Sequence, residues 1–412
     1  MKKSLLILAV INLVYGFYYY QKKVKVERPL EDYYPLLKEA SDKLKASYVD
    51  EEMVKNDRLS TGALKGMLKN LDRYSNYYTP NQNKAQSEDL EGRFAGVGVL
   101  FRVQDEGVFI RRVYKDSPAE KAGMLAGDLI VEADGKDLLG LNSSSVVKSL
   151  KGEPGTIVKV SVLRGEENLS LDIKRGYVSV PTINMAEIVS DQIGYIYISQ
   201  FGGGTTAEFD KSFKELFDKG MKALIIDLRF NGGGYLSAAV DICSVFLDYG
   251  SLVVYKEGRG AEREDLFDTT KEFRNDIPVV LLVNSESASA SEVTAACLRD
   301  HKSALLVGEK TYGKGSVQVI SPMSNGGSLR FTVAKYFSPG GYVIHGKGLD
   351  PDVEVELSAV ELSDLRKNIA NYGTIESEIP GDKQFEQAKQ LLLEALESGR
   401  VKAPFFKDFD SE

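Results

Sequence analysis

The first part of the chain carries apolar residues at helical spacing. They recur three or four positions apart in two sets: Leu36, Leu37, Ala40 and Leu44, then Leu64, Met67, Leu68 and Leu71. Residues at this spacing share one face of a helix, so the pattern is typical of amphipathic helices. We therefore predict an N-terminal helical region over residues 26–90.

The pattern changes to that of strands over residues 91–176. Alternating or short apolar runs lie between Gly and Asp clusters typical of turns: FAGVGVLFRV, GVFIRRV, GDLIVEADG, GTIVKVSVL and NLSLDI. One helix interrupts the strands, with Asn142 or Ser143 as its cap and Val146, Val147 and Leu150 pointing inward. We expect a separate β-rich domain here.

From residue 177 to residue 356 apolar strands alternate with helices. The strands include IGYIYI, ALIIDL and PVVLLV, and the helices include TTAEFDKSFKELFDKG and YLSAAVDICSVFL. This alternation predicts an α/β core whose strands are buried on both faces. A C-terminal helical region, residues 357–412, follows, with an amphipathic helix near 384–398. Its apolar face is formed by Phe385, Ala388, Leu391, Leu392 and Ala395.

The chain begins with a positively charged and then apolar segment. Lys2 and Lys3 precede the apolar run 4–20, which Gln21, Lys22 and Lys23 close. Residues 1–25 are therefore predicted to be a signal peptide or a membrane anchor. An uncleaved anchor is favoured because no Ala-x-Ala-like cleavage site follows. Lysines flank both ends, so charge leaves the orientation open.

Composition and charge exclude several classes of protein. Of the 412 residues 43% are hydrophobic and 27% charged, which excludes a mostly disordered or multi-span membrane chain. The net charge of −8 makes nucleic acid an improbable partner. The cysteines, Cys243 and Cys297, and the histidines, His301 and His345, form no metal-binding motif. We expect buried thiols, no metal and no cofactor.

The candidate chemistry lies in PVVLLVNSESASASEVTAACL, residues 278–298. A buried strand leads into a helix, and Ser287, Ser289 and Ser291 crowd the turn, where helix N–H groups can stabilise an oxyanion. A serine hydroxyl needs a base, and neither histidine lies in a catalytic motif. Lys314, between two glycines in TYGKGSVQ, can serve if burial lowers its pKa. The simplest reading of Ser287, Ser291 and Glu292 is helix capping and dipole stabilisation.

SASASE and TYGKGSVQ strongly resemble the carboxyl-terminal processing peptidases, serine endopeptidases with a Ser/Lys dyad and an inserted PDZ domain. The resemblance implies that Ser289 is the nucleophile, Lys314 the general base and Gln318 the residue that orients the lysine. It implies an oxyanion hole from Gly233 and Ala290. Two departures stand out: Gly232 replaces the Pro of Asn-Pro-Gly-Gly, and Arg73 replaces the Pro of Leu-Asp-Pro-Tyr-Ser.

Residues 91–176 resemble a PDZ domain, through Gly96 and Gly98 of FAGVGV and the Gly127-Asp128 turn. In such domains a glycine-containing loop binds a peptide's terminal carboxylate, and the neighbouring edge strand pairs with the peptide. The resemblance therefore assigns substrate binding to Gly96, Val97, Gly98 and Val99. A spacer domain without a peptide groove is the alternative.

The resemblance also implies a crotonase-like ββα protease core over residues 177–356. It further implies that the enzyme cuts unfolded or C-terminally exposed protein substrates near their C-termini. It also implies that the chain forms homo-oligomers and works with a helical-repeat adaptor. The implied location is extracytoplasmic, in the bacterial periplasm or on the outer face of the inner membrane. A catalytically silent PDZ-containing binding or chaperone protein is the main alternative. A chymotrypsin-type protease is disfavoured because Gly-Asn-Ser-Gly-Gly is absent, and acyl-coenzyme A chemistry because the Ser/Lys/Gln motifs have no role in it.

Overall fold

A computed structural model describes residues 28–190, 192–260, 263–267, 276–374 and 381–399. The predicted signal peptide or anchor, residues 1–25, lies outside these ranges. Among the described residues no helix combines the length and the apolar character needed to cross a bilayer. The chain divides into two compact units, residues 1–71 and residues 72–412.

The described part of the first unit is helical, as the spacing of its apolar residues predicted. It contains two 3-10 helices, Leu30–Tyr33 and Glu51–Val54, and two α-helices, α1 (Tyr34–Ser47) and α2 (Asn56–Lys69). Within this described part only Val54 and Leu68 are buried, whereas Leu36 and Leu37 are 61% and 56% exposed. The apolar stripe of α1 therefore lies on the surface of its unit.

The second unit begins with strand β1 and helix α3 and continues into the segment predicted as a PDZ domain. Its elements are β1 (Asn76–Tyr78), α3 (Pro80–Leu90), β2 (Arg93–Gly96), β3 (Val99–Gln104), β4 (Gly107–Val113), α4 (Pro118–Lys121), β5 (Leu129–Ala133), β6 (Lys136–Asp137), α5 (Ser143–Leu150), β7 (Ile157–Arg164), β8 (Glu167–Lys174) and β9 (Gly176–Ser179). β2 and β9 pair antiparallel, so the chain enters and leaves this segment through one ribbon. The intervening sheet has the order β3-β4-β5-β7-β8 with β3 at one edge, and Asn142 caps α5 as predicted.

The rest of the second unit alternates strands with helices. Its elements are β10 (Ile183–Ser190), β11 (Ile193–Ile198), α6 (Thr205–Asp218), β12 (Ala223–Asp227), α7 (Leu236–Ser244), β13 (Leu252–Gly258), β14 (Glu264–Phe267), β15 (Val279–Val283), α8 (Ala290–Asp300), β16 (Leu305–Gly308), β17 (Ser316–Pro322), β18 (Ser328–Phe337), β19 (Val353–Glu354), α9 (Ala359–Ile369) and α10 (Lys383–Glu397).

The central sheet has the order β10-β11-β12-β15-β16-β19, with all pairs parallel except β10 with β11. Its inner strands are buried on both faces, which confirms the prediction from their continuous apolar runs. Helices α6, α7 and α8 pack on one face. Helix α10 covers the other with Phe385, Ala388 and Leu392, the face predicted for it.

The parallel topology positions the candidate residues. β12, β15 and β16 end at Asp227, Val283 and Gly308, and each is followed by a loop. The carboxyl ends of parallel strands meet at one edge of a sheet, so these three loops are neighbours. A second sheet, in which β18 pairs with β1, β13 and β17, supplies Gln318 from β17.

A buried ion-pair network ties β12 to the start of α10. Arg229 is fully buried and binds Asp227 and, at 2.8 Å, Asp382. Burial disfavours the guanidinium charge, but the two carboxylates outweigh that cost, so the pKa of Arg229 lies above its ordinary value. Asp382 also accepts hydrogen bonds from the Gln384 and Phe385 amides and thereby caps α10.

We expect Asp382→Ala to lower the free energy of unfolding by about 3 kcal/mol, because a buried guanidinium loses one counter-charge and a helix loses its cap. Urea unfolding measures the change. Asp364→Ala is the control, since Asp364 pairs with Lys367 on an exposed helix surface and contributes less than about 1 kcal/mol. Equal losses in the two variants would contradict a stabilising role for the buried network.

Candidate active site

Ser289 lies in a strained turn between β15 and α8. Its φ of 59° and ψ of −114° are rarely adopted by residues other than glycine. In a sharp strand-to-helix turn of this kind a serine hydroxyl is held out beside the helix N-terminus. Ser289 is half-buried and lines a cleft of about 590 Å³. The structure thus presents this hydroxyl to a space where a substrate can bind.

The two flanking serines have a different role. Both are fully buried. The Ser287 hydroxyl donates to the Leu228 carbonyl at 2.8 Å, and the Ser291 hydroxyl donates to the Asn231 carbonyl at 2.9 Å. They hold the turn against the loop that follows β12, rather than capping α8 as their positions suggested. Of the three serines of the motif, Ser289 is the one that lines the cleft.

Lys314 lies in the loop after β16 and lines the same cleft as Ser289. Burial lowers the pKa of its amine, the charge of Arg330 lowers it further, and Glu292 opposes the shift. The flanking glycines are required by close packing: a Cβ on Gly313 would lie 2.9 Å from the Gly348 amide nitrogen, and one on Gly315 would lie 2.5 Å from that of His345. The lysine is therefore held in a loop that only these glycines permit.

The carboxylate of Glu292 joins the turn of Ser289 to the loop of Lys314. One oxygen accepts hydrogen bonds from the amides of Ser289 and Lys314, at 2.9 and 2.8 Å. The other accepts from the Gly313 amide at 2.7 Å and from the Thr311 hydroxyl at 2.6 Å. Burial raises the pKa of this carboxyl, and the hydrogen bonds oppose the rise. The sequence predicted only that Glu292 stabilises the helix dipole. Its hydrogen-bond partners lie in the loop after β16, and no pattern around Glu292 in the sequence predicts them.

Gln318 lines the cleft, but its side-chain amide donates to the main-chain carbonyl of Tyr74 at 2.7 Å. The Lys314 Nζ lies 5.5 Å from the centre of the Tyr74 ring. Gln318 and the lysine thus share one neighbour, Tyr74, a residue that sequence reasoning did not select. Arg73 stacks over the rings of Tyr74 and Tyr312, so it joins this segment to the lysine loop.

Gly233 lies beside Ser289, but its N–H is engaged. A Cβ on Gly233 would lie 2.7 Å from Cβ of Ser289 and 2.9 Å from the Ala290 nitrogen, so only glycine fits. Its amide donates to the Asn231 side-chain oxygen at 2.9 Å. Gly232, the residue in place of proline, has open space around its Cα. The structure brings Gly233 and Ala290 to Ser289, with the Gly233 amide turned to the Asn231 side chain.

The two histidines contact other residues. The His301 Nε2 is 2.7 Å from the Leu252 carbonyl oxygen, and His345 packs edge-on against Tyr74. Neither is among the described residues that line the cleft. Both cysteines are buried thiols, as expected. Among the described residues no cluster of metal-binding side chains occurs.

In the segment predicted as a PDZ domain, β3 is an edge strand of its sheet and begins at Val99. Val97 is buried, and its carbonyl accepts from the Ala119 amide at 2.8 Å. Gly98 has a φ of 88°, and a Cβ there would lie 2.4 Å from that of Ser117. Gly98 is thus required by packing inside the domain.

Comparison with known proteins identifies both parts of the chain. The profile of Peptidase family S41 matches residues 192–355, and that of the PDZ domain matches residues 95–174. A solved structure of a putative S41 protease from Bacteroides fragilis covers 87% of this chain and 96% of its own, with a TM-score of 0.50 and 16% identity. The α/β protease fold with an inserted PDZ domain is therefore confirmed.

Two relatives are called probable CtpA-like serine proteases. One, from Staphylococcus haemolyticus, is 38% identical over 302 residues, or 72% of this chain, and the chain spans 60% of its length. The other, from Staphylococcus aureus strain COL, is 33% identical over 355 residues, which are 86% of this chain and 71% of the relative. The chain therefore belongs to peptidase family S41, as its resemblance to the carboxyl-terminal processing peptidases predicted.

Proposed function

We propose that this chain is a serine endopeptidase that uses a Ser289/Lys314 dyad and cuts protein substrates near their C-termini. The observation that carries the proposal is that a strained serine and a half-buried lysine whose pKa is lowered line one cleft, with the amides of both bound to one carboxylate. The S41 membership of the segment that holds both residues supports it.

In the proposed reaction the neutral Lys314 amine takes the proton of the Ser289 hydroxyl as Oγ attacks the scissile carbonyl carbon. The resulting ammonium then gives its proton to the leaving amine, and a water molecule hydrolyses the acyl-enzyme with the lysine again as the base. The Ala290 amide and the Gly233 amide would stabilise the oxyanion. The Gly233 amide must first leave Asn231, so we propose that substrate binding turns this peptide unit.

The PDZ domain is proposed to present substrates to the cleft. The edge position of β3 supports pairing with an extended peptide, and the Gly96 to Val99 loop would face the terminal carboxylate. Substituting Gly98 would disturb the packing against Ser117 as well as peptide binding. Recognition is therefore better tested on the substrate, by comparing free and amidated C-termini.

Four further proposals rest on the family resemblance. They are an extracytoplasmic location, a membrane attachment through residues 1–25, the formation of homo-oligomers and the use of a helical-repeat adaptor. Attachment and location are testable by fractionating cells that express the full chain.

We expect Ser289→Ala to reduce cleavage of an unfolded test protein by at least about 10³-fold, because the attacking oxygen is lost. Labelling of Ser289 by a fluorophosphonate, located by mass spectrometry, checks the same assignment. Ser287→Ala and Ser291→Ala are the controls: each costs about 1–3 kcal/mol of stability through a lost buried hydrogen bond but keeps the attacking oxygen, so the folded variant should cleave far faster than Ser289→Ala. Retained cleavage in Ser289→Ala would reject the nucleophile and with it the dyad.

Activity should increase with pH through a pKa below the ordinary value of a lysine. The Lys314 amine accepts a proton only when neutral, burial lowers its pKa, and the neutral fraction grows as pH rises through that pKa. The kcat/KM measured across the range in which the protein stays folded should show this rising limb, and Lys314→Ala should remove activity. A flat profile would exclude the lysine as the base.

Glu292→Gln should reduce kcat roughly 100-fold with little change in volume, because an amide cannot accept hydrogen bonds at both ends and the two loops lose their relative position. Glu286→Gln is a matched control on the same turn, since Glu286 is exposed and pairs with Arg366. Unfolding curves for both variants separate a local effect from a loss of fold. Unchanged kcat in Glu292→Gln would show that the carboxylate does not position the dyad.

A further inference from the structure

The cleft is positive although the chain is acidic. The net charge of the whole chain is −8, yet the charged side chains among the described residues that line the cleft are Lys314 and Arg330, both basic. Glu292 lies nearby but is fully buried, and both of its oxygens accept hydrogen bonds from the protein. When Lys314 is neutral and able to act as a base, Arg330 is the charged side chain that is left among the described residues lining the cleft.

Arg330 lines the cleft from the strand beside β17. It is on β18, directly opposite Ile320 of β17. Ser316, Gln318 and Ile320 are alternate residues of β17, so they share one face of that strand, and all three line the cleft. The strand rises about 3.3 Å per residue, so Ile320 lies about 13 Å beyond Ser316, which is close in sequence to Lys314.

The guanidinium of Arg330 lies over an aromatic ring and has no counter-charge among the described residues. Its Cζ is 5.1 Å from the centre of the Tyr78 ring, a cation–π distance. Among the described residues no Asp or Glu pairs with it, and the residue is half-buried. A planar fork of N–H donors that lines a cleft and meets no carboxylate of the described residues fits a carboxylate from a ligand.

We propose that Arg330 is a specificity-determining residue that binds a carboxylate of the substrate within about four residues of the scissile bond. This inference rests on the proposed function, because it places the carboxylate relative to a bond that Ser289 attacks. The carboxylate has two sources: the C-terminus of the substrate itself, or the side chain of an Asp or Glu. In either case the enzyme cuts at a short, fixed distance from a negative charge.

Three ten-residue peptides of one sequence test the proposal: one with a free C-terminus and Asn at the fourth position from its end, one amidated with Asp at that position, and one amidated with Asn there. We compare kcat/KM of the wild type, Arg330→Gln and Arg330→Lys. Lys335→Gln is the matched control, because Lys335 is an exposed base on the same strand outside the cleft. Each variant is measured on the plateau of its own pH profile, since Arg330 also shifts the pKa of Lys314.

We expect the wild type to prefer at least one carboxylate peptide over the amidated Asn peptide by about tenfold, the usual effect of one charge-assisted hydrogen-bond pair. Arg330→Gln should lose that preference, Arg330→Lys should keep part of it, and Lys335→Gln should keep all of it. The peptide whose advantage depends on Arg330 identifies the source of the carboxylate. A preference for the free terminus that survives Arg330→Gln belongs to the PDZ domain.

Equal ratios in the wild type and Arg330→Gln would overturn the proposal, as would a wild type without any preference. Failure of the proposed function is a separate result: no cleavage and no fluorophosphonate label on Ser289. In that case the amidated Asp and Asn peptides, carrying a fluorophore, are titrated with Ser289→Ala and with Ser289→Ala/Arg330→Gln. A Kd ratio of about ten that the second variant loses supports the carboxylate subsite; equal Kd values in both proteins overturn it.

Discussion

The position of the proposed Ser289/Lys314 dyad depends on one buried carboxylate. Glu292 accepts four hydrogen bonds, one from the amide of Ser289 and three from the loop between β16 and β17, which holds Lys314. Hydrogen bonds to an ionised acceptor in a dry environment are short and strong, and leaving any of these donors unpaired is costly. Neither the turn of Ser289 nor the loop of Lys314 can therefore move without breaking contacts to the same side chain.

A second buried network supports the loop that bears Gly233. Arg229 begins that loop and is held between Asp227 and Asp382. Asn231, two residues on, accepts from the Gly233 amide and donates to the Ile198 carbonyl, and its own carbonyl accepts from the Ala288 amide. The position of α10 and that of the nucleophile are thus linked through Arg229. This gives the C-terminal helix a role in the site as well as in covering the sheet.

Local patterns in the sequence predict the elements well, because apolar periodicity reflects which face is buried: the stripe of α10 and the buried strands are found as expected. They also place three serines at the turn between a strand and a helix, which is a local feature, and the family resemblance selects Ser289 among them. They miss Tyr74 and the contacts of Glu292 and Arg330. The bond from Gln318 to Tyr74 spans 244 positions, and the place of Arg330 depends on the register of β17 with β18. Such contacts have no signature within either segment.

A carboxylate close to a catalytic lysine normally works against its use as a base, because an ion pair favours the ammonium and raises its pKa. Here Glu292 directs its oxygens to main-chain amides and a hydroxyl, so it fixes the loop of Lys314 with a smaller effect on the amine. Burial and the charge of Arg330 then outweigh its attraction, and the pKa of Lys314 falls. Positioning the lysine and lowering its pKa are therefore done by different groups. Glu292 fixes the loop that bears Lys314, and the burial of Nζ together with the charge of Arg330 keeps the amine neutral at lower pH.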